Sequence, residues 1–374
     1  MTARRIAFRV ILLLALGTSA ALLLEGLVRV FQPQILPHDV PDLWVPDAAI
    51  GWRRQPNKHV VANAGERDVD VCTNALGDRV ECGAPARTDC AKRVLVVGDS
   101  YVEALSVPFE ETAWSRLEHD NGACTDVAGV GAYYLSQYVA QTRERLRAPG
   151  AHYDLVIVSL YVGNDLTDDP EKLPKPQDVQ RRPVRLFPAG FSENQLKDWF
   201  FPWNQWLKAH SEAYVATRFA IRRWMDPGDV GIYGVPEALR RSELTPALLD
   251  GTTRGLREIG EEAHRHGTRC LVVVVPHRSQ ALDPDGSVLL RGFPQLKGDV
   301  DMDLTSRELV PRLRAVPEID RVVDLLPPLR ARADPELWGT ADAHLSPKGH
   351  EVWFEALRDP VRELLAAPPL PAGS

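Results

Sequence analysis

Five short apolar runs constrain this chain more than any other feature: 94–97, 126–130, 155–160, 271–275 and 322–326. Most are apolar on consecutive positions rather than alternate ones, which is the signature of strands covered on both faces. Between them lie segments with helical spacing, at about 112–119, 136–146, 247–266, 306–315 and 347–366. In the third, Leu248, Thr252, Leu256, Ile259 and Ala263 recur on one face, and in the last Trp353, Leu357, Val361 and Leu364 do. Strand and helix in alternation predict a three-layer α/β/α sandwich around a parallel sheet. With 374 residues, 44% of them hydrophobic, the chain has enough apolar material for one such core plus insertions.

The rhythm breaks once. Residues 168–244 are too long for a single crossover and are expected to form an insertion within a domain spanning 92–368. An insertion entering at a strand's carboxyl end sits beside the crevice of an open α/β sheet, where it can act as a lid or substrate wall. Its aromatics Trp203, Trp206, Tyr214 and Phe219 are expected first to form a small core of their own. Residues 32–91, rich in Pro, Gly, Asn and Asp, read as a stalk and loop-rich lead-in, and 369–374 as a flexible tail.

At the N-terminus, Arg4, Arg5 and Arg9 precede an uncharged run over 10–24, closed by Glu25 and Arg29. The run resumes with Leu27, Val28, Val30 and Phe31, so residues 1–31 can supply about 20 residues for a membrane crossing if Glu25 lies near the interface. Thr18-Ser19-Ala20 offers a signal-peptide cleavage site as the alternative, but hydrophobicity continuing past Ala20 favours an uncleaved anchor in the cytoplasmic membrane. Either way the rest of the chain is expected outside the cytoplasm, periplasmic or extracellular, where disulfides persist. Cys72, Cys82 and Cys90 lie close enough in sequence for one local bridge, of undetermined pairing; Cys270, opening an apolar run, reads as a buried free thiol. No CxxC pair or Cys/His spacing indicates a metal, and no cofactor motif is present. A net charge of −7 without a basic face argues against nucleic-acid binding.

The chemistry concentrates at strand ends. The run over 94–97 ends in Gly98-Asp99-Ser100, which puts a hydroxyl at the sheet edge. Alone, such a tripeptide is an ordinary helix-capping turn. Three further features join it: Gly163-Asn164-Asp165 after the third strand, the small-residue turn 128–132 after the second, and Asp342-Ala343-His344 before the last helix. A serine nucleophile needs a base, the base needs a carboxylate to fix its tautomer, and the oxyanion needs donors. All four parts are present.

In their order these blocks resemble those of SGNH (GDSL-type) hydrolases, over roughly residues 93–365. Gly51-Trp52, Pro56-Asn57 and the segment 73–79 are similar to the lead-in of membrane-anchored bacterial members. The resemblance implies Ser100 as nucleophile, His344 as general base, Asp342 as its partner, and an oxyanion hole from the Ser100 amide, Asn164 and the glycine turn. Two positions depart from the family pattern. The family's Asp lies three residues before the His, where this chain has Ala341; Asp342 lies two before, with Asp334 the nearest upstream substitute. Ala132 stands where the family has its oxyanion glycine, so Gly131 and Ala132 are both candidates, Gly131 slightly preferred. Tyr101, Asp165 and His277 are weaker candidates for substrate contact. The expected activity is an esterase or O-deacetylase acting on a small-molecule or glycan ester. A polysaccharide O-acetyltransferase and a non-catalytic glycan-binding protein of the same fold are the alternatives. Acyl group, alcohol and oligomeric state are not legible.

Overall fold

The computed structural model describes residues 3–34, 36, 40, 43–85, 90–173, 203–204, 206–225, 235–340, 343–368 and 370. Its centre is an eight-stranded sheet. Five strands are mutually parallel: β6 (Arg93–Val97), β7 (Cys124–Val127), β8 (Leu155–Tyr161), β9 (Arg269–Val275) and β10 (Arg321–Asp324), in the order β10-β9-β8-β6-β7. All five sit within three residues of where the apolar runs place them. Strand order reverses direction between β6 and β8. In open α/β sheets that switch point is where ligands bind, outside the carboxyl ends.

Successive side chains of a strand point to opposite faces, and this sheet is covered on both. Leu95, Val97, Val156, Val158, Val272 and Val274 pack beneath α4 (Leu135–Arg147), α6 (Pro246–Arg265) and α7 (Leu304–Arg314). Val94, Val96, Leu155, Ile157, Leu271 and Val273 pack beneath α3 (Ala113–Asn121) and α8 (Pro347–Ala366). The helical stripes face these cores: Thr252, Leu256, Ile259 and Ala263 of α6 and Trp353, Leu357 and Val361 of α8 are at most 1% exposed. Each fully buried large aliphatic contributes about 1.5–3 kcal/mol relative to exposure. Local chemistry sets the helix starts. Thr245 and Ser346 cap α6 and α8 through their hydroxyls, each followed by a proline at the first helical position.

The sheet is mixed rather than purely parallel, because the lead-in belongs to it. β3 (His59–Ala62), β4 (Val69–Thr73) and β5 (Arg79–Val80) continue the sheet antiparallel beyond β7. β1 (Trp44–Asp47) and β2 (Gly51–Arg54) form a separate hairpin. These strands are two to five residues long and carry polar residues on one face, as in β4, where Asp70 is exposed between buried Val69 and Val71. Turn residues around them hide that short alternation. Two disulfides tie the region down, Cys72–Cys82 within it and Cys90–Cys124 from the entry of β6 to the start of β7; the second was not expected. Cys270 is buried and free, and burial pushes its thiol far up.

α1 (Ala3–Phe31) stands apart from both cores. Its stretch Phe8–Phe31 has mean hydropathy 2.1 and none of its residues is fully buried, so it is long and apolar enough to cross a membrane. Within the insertion, α5 (Glu212–Met225) is described, while 174–202, 226–234 and the side chains of Phe219 and Trp224 lie outside the described residues. Trp203 and Trp206 do not form a core. They are 56% and 55% exposed.

Candidate active site

At the end of β6 the chain turns sharply through Gly98. A Cβ there would lie 2.4 Å from Cγ2 of Val102 and 3.0 Å from Cβ of Ser159, so only glycine lets the strand pass between them. Asp99 is fully buried and accepts the Tyr101 amide at 2.9 Å, capping the single turn α2 (Ser100–Glu103). Ser100, the first residue of that turn, is half-buried.

His344 reaches it from the other end of the chain. Its Nε2 lies 2.7 Å from Ser100 Oγ, which is hydrogen-bonding distance for a nucleophile and its base. The loop carrying it is pinned by Leu345, buried at 1% exposure and bridged to Trp338, and by the Gly339 amide donating to the His344 carbonyl at 3.0 Å. Tyr101 supports it from below. Its hydroxyl donates to the Ala343 carbonyl at 3.2 Å and its ring centroid lies 4.8 Å from that of the imidazole. Tyr101, 3% exposed, packs against the base. Asp342 lies outside the described residues. Asp334 is committed elsewhere, capping the short helix Pro335–Leu337 by accepting the Glu336 amide at 2.9 Å.

The glycine turn comes next to this pair. Gly129 packs where a Cβ would meet Val102 at 2.3 Å, so the two turns interlock on one valine. Gly131, the slightly preferred oxyanion donor, is already engaged: its amide donates to Glu103 Oε2 at 2.9 Å. Ala132 has a left-handed backbone, φ 60°, a conformation that costs a non-glycine residue about 1–2 kcal/mol.

Asn164 sits exposed on the turn after β8, close enough to the Asp99 carboxylate to help hold its charge. Asp165 points inward. It is fully buried, accepting the Tyr138 hydroxyl at 2.9 Å and the Tyr161 amide at 2.6 Å, so it holds the turn rather than a ligand. Burial pushes Asp99 up to about 6, opposed by the Tyr101 amide, His344 and Asn164. Burial, and then the charge of Asp99, push Asp165 well above the usual carboxylate range. Two acids thus share the floor beneath the nucleophile. His277, 9% exposed, caps the short helix Arg278–Leu282 and pairs through Nδ1 with Ser279 Oγ at 2.7 Å. Burial lowers it to about 4.

The lead-in supplies a support that sequence reasoning missed. Arg79, 1% exposed, donates to the carbonyls of Glu103, Ala104 and Val107, which closes the end of α2. The Glu103 carboxylate takes the Trp44 indole N–H at 3.0 Å as well as the Gly131 amide, with Arg54 at 4.0 Å. Arg54 itself holds the Gly77 and Val127 carbonyls, and the Trp52 indole N–H donates to the Gly131 carbonyl at 3.1 Å. An Arg within 73–79 and a Glu three residues after the serine were the available signals. Neither announces that it is buried.

Among the described residues the one grouping with metal-ligand proximity is His59, Cys72 and Cys82. Both sulfurs are spent in the disulfide, and His59 pairs with Asp70 at 2.6 Å. His264 is paired with Asp320 at 2.9 Å.

No family model and no curated protein matches the chain. Among solved structures it is similar to a protein assigned as an SGNH hydrolase from Slackia heliotrinireducens (14% identity, 72% of this chain and 98% of that one, TM-score 0.38). It is also similar to TesA (11%, 73% and 99%, 0.34) and to the acetyl xylan esterase AlAXEase (12%, 72% and 99%, 0.33). Likenesses this distant carry no substrate or residue role across.

Proposed function

We propose that the chain is a serine esterase of the SGNH type, acting on an ester outside the cytoplasmic membrane through an acyl-enzyme on Ser100. The observation that carries this is the 2.7 Å approach of His344 Nε2 to Ser100 Oγ, at the carboxyl edge of the sheet and at its switch point. In this reading Ser100 Oγ attacks the ester carbonyl while His344 takes its proton. His344 then returns that proton to the leaving alcohol, and repeats the cycle with water. Asp342 is assigned from sequence as the carboxylate that fixes the imidazole. The oxyanion is assigned to the Ser100 amide, the Ala132 amide and the Asn164 side chain.

The location rests on α1 and on two disulfides, which fit an oxidising compartment. The test is release of p-nitrophenol from p-nitrophenyl acetate by the full-length protein, with Ser100→Ala as control and an organophosphonate as label. Burst release, labelling of Ser100 and loss of both in the variant are expected. Equal rates for the two proteins would sink the assignment. Turnover accelerated only by an added sugar would turn the acceptor from water to glycan.

A further inference from the structure

α1 carries a carboxylate where a membrane span should not. Glu25 lies about 26 Å along the helix from Phe8 at 1.5 Å per residue, near the outer boundary of a hydrocarbon layer of about 30 Å. An ionised side chain at that depth needs partners, and the insertion supplies them. Ser211 Oγ donates to Glu25 at 2.8 Å, and the amides of Glu212 and Ala213 donate at 3.0 Å each. Glu25 thereby caps the start of α5 from another helix. Arg29, paired with Glu25 at 2.8 Å, also donates to the His210 carbonyl at 3.1 Å, and Glu212 accepts the Gln34 amide at 2.8 Å.

The helical residues 203, 204 and 206–210 fold back on α5, with the Tyr214 hydroxyl on Asn204 at 2.7 Å and Arg218 on the same oxygen at 3.3 Å. This hairpin presents Trp203, Trp206 and Ile221 more than half exposed. Three arginines, Arg218, Arg222 and Arg223, follow one another along α5. Exposed tryptophans with basic residues on a short helical element, joined to the outer end of a spanning helix, are the composition of a membrane-interface element.

We propose that the hairpin over 203–225 lies in the lipid headgroup layer, seated on a retained α1 through Glu25, with Trp203 and Trp206 inserted among the lipids. This rests on the reading of α1 as an uncleaved span. The occupant is the bilayer, because the seat on α1 is continuous with the segment that crosses it.

The test uses full-length protein in nanodiscs of dibrominated phosphatidylcholine, against the same discs unbrominated, comparing wild type with W203F/W206F. With Trp199 and Trp224 changed to Phe in both proteins, fractional quenching of tryptophan fluorescence at least twofold greater in the protein that keeps Trp203 and Trp206 is expected, since the remaining tryptophans, Trp44, Trp52, Trp114, Trp338 and Trp353, are buried in the globular domain. Intact mass is read on the same samples. A chain lacking its first 20 residues and leaving the membrane overturns the anchor, and the hairpin's seat with it. A full-length, membrane-bound chain whose quenching is equal in both proteins overturns the hairpin proposal alone. Disulfide-linked dimers through W206C in the membrane overturn it in favour of a second copy of the chain as occupant.

Discussion

The two halves of the candidate site are held in contrasting ways. The nucleophile turn is buried except at Ser100 itself, which is half-buried. Gly98 and Gly129 close on Val102, Asp99 caps from within, and Arg79 and Glu103 tie the turn to the antiparallel wing and the glycine loop. The histidine loop is half-exposed, and among the described residues Leu345, the Gly339 amide and the Tyr101 hydroxyl hold it. A serine must be presented at fixed geometry, whereas its base must exchange protons with alcohol and water. Burial suits the first and access the second.

Four outcomes would break or sharpen that contrast. His344→Ala is expected to cost on the order of 10⁶-fold in kcat on p-nitrophenyl acetate, with little change in the urea midpoint, since the imidazole itself is only half-buried. A large fall in stability together with activity would mean that the loop is structural after all. Arg79→Met should act the other way. It leaves three carbonyls without their donor and takes a counter-charge away from buried Glu103, for a loss of about 3–5 kcal/mol in unfolding free energy by denaturant titration. A near-neutral result would show the lead-in to be dispensable to the nucleophile turn.

The acid pair beneath Ser100 makes a pH prediction. Asp99 is raised to about 6 in the fold against an ordinary value of 3.8, so the folded state holds its proton more tightly than the unfolded chain. Its contribution is most favourable below pH 4 and is lost as pH rises through 6. Asp99→Asn keeps an oxygen for the Tyr101 amide and removes the titration. Relative to wild type it should gain on the order of 1–3 kcal/mol between pH 4 and pH 8, measured as the difference in denaturant stability at the two values. A difference independent of pH would remove the burial argument for Asp99. The smallest effect is expected for Tyr101→Phe, which deletes one hydrogen bond of about 0.5–1.5 kcal/mol and loosens the histidine loop. A kcat lowered a few-fold with an unchanged melting temperature would place its role in positioning. An unchanged kcat would leave the loop to Leu345.

Much of this was legible in sequence because it is local. Consecutive apolar residues made β6, β8 and β9 readable, and helical spacing made α6 and α8 readable nearly to their ends. The serine, histidine and asparagine turns stand at strand or helix ends, where short motifs announce themselves. The lead-in was legible only as turns, since strands of two to five residues with one polar face fall below any periodic signal. The engagement of the Gly131 amide was hidden for a related reason: its partner, Glu103, lies twenty-eight residues away in sequence.

The sequence by itself determined the parallel core, the order of the chemical turns and the apolar N-terminal segment, because each depends on side-chain character over a few neighbouring positions. Tertiary structure alone decided which of those groups meet. It placed His344 against Ser100 across 244 residues, turned Tyr101, Asp165 and His277 inward to become supports, and seated Glu25 on the insertion. Such pairings are settled by how strands order in the sheet and which polar groups find partners once buried, and no local pattern encodes that.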